Sequence, residues 1–457
     1  MPNDPTSSSS HSFEYHTPPE ARTTSQNGHH PHAMHVIKLR QLVGEYMTIL
    51  QEAELDEDAL PHEDQSILQR NDSYLLMTFA GVLTDESETT YDELDKRLRE
   101  WDMYPLLRLN QDSDEKPHLI HVLVGRPEKP EPMSPWLNIL LLLATIVSVL
   151  LTGTTIAAGQ IGLEDPQQGQ IIMSSVENIL REMWRGYPYA LAILAILGTH
   201  EMGHYLMMRR HNAAATLPYF IPAFLVSPFG TFGAAIMLRE TLKNRKTLLD
   251  VGAWGPVAGF IVAVPILFIG LATSTVTTIV EGGFVEGNSL LYVFAKWIVF
   301  GEVLPNGEVD VMINQLAWAG WTGLFVTALN MIPLGQLDGG HVLYSLLGDR
   351  ARRLYYPLLG VMILLLLFVS PMWLVFIVLL FFVGRVYAVP LDNITPLDRG
   401  RKWLGIAALV IFVLSFTPVP LYEQGTSGGL LTGFENAALL GSVGVALLVT
   451  LPRWLRR

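Results

Sequence analysis

Two histidines four residues apart, His200 and His204, enclose Glu201 in an H-E-x-x-H arrangement inside the apolar run 190–208. On a helix the two imidazoles project from one face, a turn apart, and can hold one divalent ion. Glu201 beside them can take a proton from water, so the chemistry offered is metal-assisted hydrolysis. A charged side chain costs roughly 2.5–3.5 kcal/mol at the centre of a membrane helix, so three ionisable groups in such a run point to function. Two imidazoles do not complete a hydrolytic site, which takes three protein ligands and keeps one position open. The chain has no cysteine, so the third ligand must offer nitrogen or oxygen. Asp338, in the stretch 330–341, is the carboxylate the pattern places at the depth of the histidines, where Pro333 and the glycines interrupt a helix. Its competing reading is an ordinary helix cap.

Those groups need a scaffold in a membrane. Half of the 457 residues are hydrophobic and 16% are charged, a balance tilted toward membrane proteins. The net charge of −13 is unevenly spread: residues 1–135 hold 25 acidic and 11 basic side chains, residues 136–457 hold 18 and 19. No basic patch suggests nucleic acid. The expected fold class is a polytopic α-helical membrane protein, about eight transmembrane helices with a re-entrant segment, plus a small N-terminal α+β cytoplasmic domain. Residues 1–35 read as a disordered tail whose histidines bind metal loosely at most. Residues 36–125 read as the soluble α+β domain, with helices at 36–53 and 90–101 and strands at 74–80, 106–109 and 118–124. A proline-rich linker, 126–135, leads to a core at 136–350 and additional C-terminal helices at 351–457.

The expected spans are 136–158, 189–208, 251–273, 311–332, 354–369, 372–388, 403–416 and 437–451. Residues 290–300 are too short to cross. Residues 217–238 are broken by Pro218, Pro222, Pro228, Gly230 and Gly233 and read as the re-entrant segment. Alternating crossings put 16 of the 19 basic residues beyond 135 on one side and 11 acidic residues on the other. The positive side is cytoplasmic, which places both termini there and the two histidines in the cytoplasmic half of their helix. The location expected is an integral, multi-pass protein of the cell membrane.

The H-E-x-x-H motif followed by N-x-x-P-x-x-x-x-D-G, matched at Asn330, Pro333, Asp338 and Gly339, resembles the site-2 protease family of intramembrane zinc metalloproteases. Gly230-Thr-Phe-Gly233 resembles its G-x-F-G segment, and residues 250–259 resemble its small-residue-rich span. The resemblance covers residues 136–350. It implies Zn2+ held by His200, His204 and Asp338, with Glu201 as the general base. Asn330 then either contacts the substrate or bonds between helices. His341 either supports the ligands from behind or is merely cap-proximal, the favoured reading. Gly230, Phe232 and Gly233 either expose a strand edge that an unwound substrate joins, the favoured reading, or pack helices closely.

The implied partners are membrane-spanning protein substrates and the lipid bilayer, with residues 36–125 as a docking point for a cytoplasmic regulator. One departure stands out: the interval 274–310 is too short for the PDZ-type domain many relatives insert. The alternative function is an intramembrane divalent-metal transporter, which would show several sites along a route and often repeated halves. A receptor on a protease scaffold is the third reading, and such a protein tends to lose a ligand or the base.

Overall fold

The computed structural model describes residues 31–110, 113–128, 130–131, 133–224, 226–278, 284–371, 373–384 and 386–423. Its N-terminal elements are α1 (Pro31–Gly44), β1 (Met47–Ala53), α2 (His62–Asn71), β2 (Tyr74–Leu83), α3 (Ser87–Leu98), β3 (Met103–Leu109) and β4 (His118–Val124). The strands form an antiparallel sheet in the order β1-β2-β4-β3. Phe79, Ile120 and Leu107 pair directly across three strands, and Leu39, Val43, Leu94 and Leu98 of α1 and α3 cover that face. Leu60, Ile67 and Leu68 cover the other face, against Tyr104, Leu106 and Leu123.

The helix expected over 36–53 ends at Gly44, and Met47–Ala53 is a strand. From Met47 onward burial alternates with every residue, a period a helix cannot present. Helix α2 has no counterpart in the sequence reading. Its polar composition, with Glu63, Gln65 and Arg70 around the buried Asp64, hides the two-residue apolar contact, Ile67 and Leu68, that docks it.

The remaining described elements are α4 (Trp136–Glu164), α5 (Pro166–Met173), α6 (Val176–Arg181), α7 (Tyr187–Arg210), β5 (Tyr219–Pro222), β6 (Thr231–Ala235), α8 (Arg245–Ala272), β7 (Thr275–Thr278), β8 (Phe284–Glu286), α9 (Leu290–Phe300), β9 (Val309–Met312), α10 (Gln315–Asn330), α11 (Asp338–Leu347), α12 (Tyr355–Phe368), α13 (Trp373–Val383), α14 (Arg399–Ser415) and β10 (Leu421–Glu423). Among the described residues, three helical stretches are long and apolar enough to cross a membrane: Trp136–Glu164, Arg245–Ala272 and Asp338–Phe368. The expected span at 437–451 lies outside the described residues.

Helix α8 is central. It packs along α7, α10 and α11, and glycines allow the approach. A side chain at Gly270 would overlap the Ala317 backbone of α10, and one at Gly203 would overlap Trp254 of α8. The interrupted segment 217–238 folds as an antiparallel pair, β5 with β6. It lies on α4 and α7: Asn138 Nδ2 donates to the carbonyls of Leu217 and Pro218, and Tyr189 Oη donates to Phe229 O at 2.8 Å. Pro218, Pro222 and Pro228 lack backbone donors, which explains why the stretch leaves helical geometry.

The N-terminal sheet is fixed to the later chain. Leu391 and Ile394 pack into its core, and Leu107 bridges Asp392 in parallel. Arg108, buried beside Asp64, donates from Nη1 to the carbonyls of Pro390 and Leu391 at 3.0 and 2.9 Å.

Candidate metal centre

Helix α7 buries the face that carries His200, Glu201 and His204, each under 8% exposed. Helix α10 ends at Asn330, and the chain turns through 331–337 before α11 starts at Asp338. The turn depends on glycine. Gly335 has a φ of +55°, a left-handed conformation, and side chains at Gly339 and Gly340 would overlap the carbonyls of Met331 and Gly335. Leu337, not Asp338, occupies the cap position of α11, with no side-chain cap hydrogen bond. The Asp338 carboxylate instead turns to the histidines of α7.

His200 Nε2 and His204 Nε2 are 3.1 Å apart, and Asp338 Oδ2 is 3.3 Å from each. Ligand atoms at bond lengths of about 2.0–2.2 Å from a tetrahedral ion lie about 3.4 Å from one another, so this triangle has the size of one face of such a site. His204 Nδ1 lies 2.7 Å from Val251 O on α8. A carbonyl only accepts, so that nitrogen carries the proton and Nε2 presents its lone pair to the triangle. Lone pairs converging on one point from a buried imidazole and a carboxylate fit a divalent cation. Among the described residues, His200, His204 and Asp338 form the one group of three or more such side chains.

Asn330 Nδ2 lies 3.4 Å from His200 Nε2, so this side chain enters the site rather than a distant helix contact. His341 lies one turn beyond Asp338 with its Cβ over Gly252, outside the ligand triangle. Gly230, Phe232 and Gly233 are also outside it. Gly230 and Gly233 have φ of +69° and +96°. A side chain at Gly230 would overlap Thr152 of α4, whereas Gly233 has nothing nearer than Val326 Cγ1 at 4.0 Å. Phe232 is 60% exposed, and no strand besides β5 pairs with β6 among the described residues.

Three further positions, outside the motifs, support the histidines. Val251 supplies the carbonyl that orients His204. A Cβ at Gly255 would overlap the His204 ring, and one at Gly259 would sit 3.1 Å from His200 Nδ1. Pro256, one residue after Gly255, cannot donate to the Gly252 carbonyl, so the α8 ladder is interrupted beside His204. The spacing of Gly252, Gly255 and Gly259 along one helix face was the available signal.

Residues 188–369 match the model of peptidase family M50. The chain is 29% identical over 365 residues to a protein named probable zinc metalloprotease EGY2, chloroplastic, from Arabidopsis thaliana, covering 76% of this chain and 61% of that protein. It is 28% identical over 396 residues to probable zinc metalloprotease EGY1, chloroplastic, from Oryza sativa subsp. japonica, covering 78% and 65%. The chain thus spans somewhat under two thirds of the length of these relatives. No solved structure matches. The matched segment contains the two histidines, Glu201, Asn330 and Asp338, the residues of the motifs that resemble the site-2 protease family.

Proposed function

We propose that this protein is an intramembrane zinc endopeptidase that hydrolyses peptide bonds of membrane-spanning proteins near the face bearing its basic loops. The observation that carries the reading is the buried triangle of His200 Nε2, His204 Nε2 and Asp338 Oδ2 beside Glu201. A divalent ion held there would polarise the scissile carbonyl and lower the pKa of water. Glu201, buried next to His200 on α7, takes the proton from the attacking water and passes it to the leaving amine. Asn330, within reach of the same site, donates from Nδ2 to the oxyanion. Val251 holds His204 in the tautomer a ligand needs.

The open edge of β6 is assigned to the substrate. A transmembrane helix hides its peptide bonds in its own hydrogen bonds, and a stretch must unwind before it can be cut. Pairing along Thr231–Ala235 would replace some of the bonds lost. The uncrowded Gly233 and exposed Phe232 support that placement.

Eight crossings, with residues 36–125 on the side of the basic loops, remain our reading of the topology. The relatives' names place them in the chloroplast, so the membrane proposed is no longer specifically the cell membrane. The transporter reading loses ground to a single compact group among the described residues and to relatives named metalloproteases.

The deciding experiment compares membranes holding wild-type protein with membranes holding Glu201→Gln. A single-span protein should accumulate uncut in the variant while the purified variant keeps its zinc. Normal cleavage by Glu201→Gln would overturn the mechanism. Zinc flux into vesicles, with no proteolysis, would favour the transporter.

A further inference from the structure

A second ionisable cluster lies away from the metal centre, between α8 and α10 in the sequence and outside the helices long enough to cross. Lys296 of α9 is fully buried. Its Nζ makes no hydrogen bond, lies 3.5 Å from Asp310 Oδ1 of β9, and sits 4.6 Å from the ring centroid of Tyr292. Tyr292 Oη donates to Glu286 Oε1 of β8 at 2.6 Å. Glu286 and Asp310 are 5% and 9% exposed. Tyr422 of β10, which pairs with β8, is close enough for Asp310 and Glu286 to act on it electrostatically.

The charges do not balance. One ammonium stands against two carboxylates, and an uncompensated buried charge is strongly destabilising. Taking up one proton removes the excess. Glu286 is the carboxylate to take it. Asp310 Oδ1 has the ammonium beside it and also accepts from the Val311 backbone.

A chain of contacts leads from Glu286 into the core. The next residue, Gly287, accepts at its carbonyl from Trp321 Nε1 of α10 at 2.8 Å. The Trp321 ring lies 6.2 Å from Phe229, whose carbonyl is held by Tyr189 and which directly precedes Gly230 and β6. Trp321 also belongs to the helix that ends at Asn330, nine residues on, or roughly 14 Å at the rise of an α-helix.

We propose that Glu286 is a proton-binding site: protonated, it holds β8 and α9 closed on α10, and its ionisation loosens them and, through Trp321 and Phe229, loosens β6. The consequence does not depend on what the metal centre does. Burial pushes the Glu286 carboxyl up to about 7, against Lys296 and the Tyr292 hydrogen bond, which favour the ionised form. A carboxyl raised in the closed state stabilises that state most fully below its open-state value of 4.5, and the stabilisation is lost as pH rises through about 7.

Hydrogen–deuterium exchange of the full-length protein in detergent tests this, with rates corrected for intrinsic pH dependence. Peptides spanning 284–300 and 229–238 should open more as pH rises from about 5.5 to 8.5, on the order of tenfold with a midpoint near 7, as the two carboxyl values require. Glu286→Gln should stay protected across the range. Lys296→Met removes the charge that favours ionisation and should move the midpoint upward, which keeps the test available if Glu286→Gln fails to fold. A flat wild-type profile, or an unchanged transition in Glu286→Gln, overturns the proton site. A transition confined to 284–300 overturns the link to β6.

Discussion

At the scale of single residues, the metal centre depends as much on what is missing as on what is present. Gly255 carries no side chain because the His204 ring occupies that space. Gly255→Ala would therefore displace the imidazole from Val251 O and from the triangle. The expected outcome is zinc affinity lowered at least about tenfold, the range seen when groups that orient metal ligands are lost. Titration of the purified apoprotein against a competing chelator measures it. Gly259→Ala is the milder companion, since its Cβ would sit 3.1 Å from His200 Nδ1, tight but without overlap. Equal affinity for wild type and Gly255→Ala would show that the α7–α8 spacing does not set the site. The two histidines proposed as ligands were legible in the sequence because H-E-x-x-H is local to one helix. Asp338 was legible because a lone carboxylate followed a broken helix. Val251 and the glycines beside the histidines were not, because their role comes from how two helices cross.

At the scale of elements, local patterns were readable wherever one period persisted. The interruption at 217–238 was visible from its prolines and became the β5–β6 pair. The break at 331–337 was visible from Pro333 and the glycines. Strand β1 was not, because the apolar residues of 36–44 blur into those of 47–53 and only tertiary burial separates the two periods. Within that sheet, His121 of β4 is 3% exposed and 2.8 Å from Thr78 Oγ1 of β2. Burial pulls its imidazole down to about 4 from an unperturbed 6.5, partly opposed by Asp64. The folded-state value is depressed, so neutral His121 contributes stability above about 6.5, and that contribution is lost as pH falls toward 4. A shift of that size corresponds to about 3 kcal/mol. Amide exchange in 74–83 and 118–124 should therefore accelerate between pH 6.5 and 4 beyond the intrinsic effect. His121→Gln, which keeps a hydrogen-bonding group but cannot charge, should flatten the profile. An identical acid profile in the variant would assign the loss to other groups.

At the scale of the whole molecule, the N-terminal sheet is built into the later chain rather than tethered to it. Residues 389–395 complete its core with Leu391 and Ile394, and they extend the β3 edge at Asp392. Arg108 ties the two together, spending Nε and Nη2 on Asp64 and Nη1 on the carbonyls of Leu107, Pro390 and Leu391. Peripheral ion pairs follow the same seam: Glu63 with Arg352, Glu88 with Lys246, and Asp92 with Lys243. These exposed or half-exposed pairs add little each, whereas the buried one is costly to break. Removing Arg108 alone leaves Asp64 charged and unpaired at 1% exposure. Arg108→Ala should thus cost about 3–5 kcal/mol. The loss should appear locally, as faster exchange and protease cleavage in 387–395 and 103–109. Zinc content should stay at the wild-type level, because no ligand of the triangle lies on this seam. The double variant Arg108→Met with Asp64→Leu removes both charges together and should recover much of the protection. If Arg108→Ala leaves the seam protected, the sheet is held by its apolar contacts. If it releases zinc, the sheet and the metal centre form one cooperative unit.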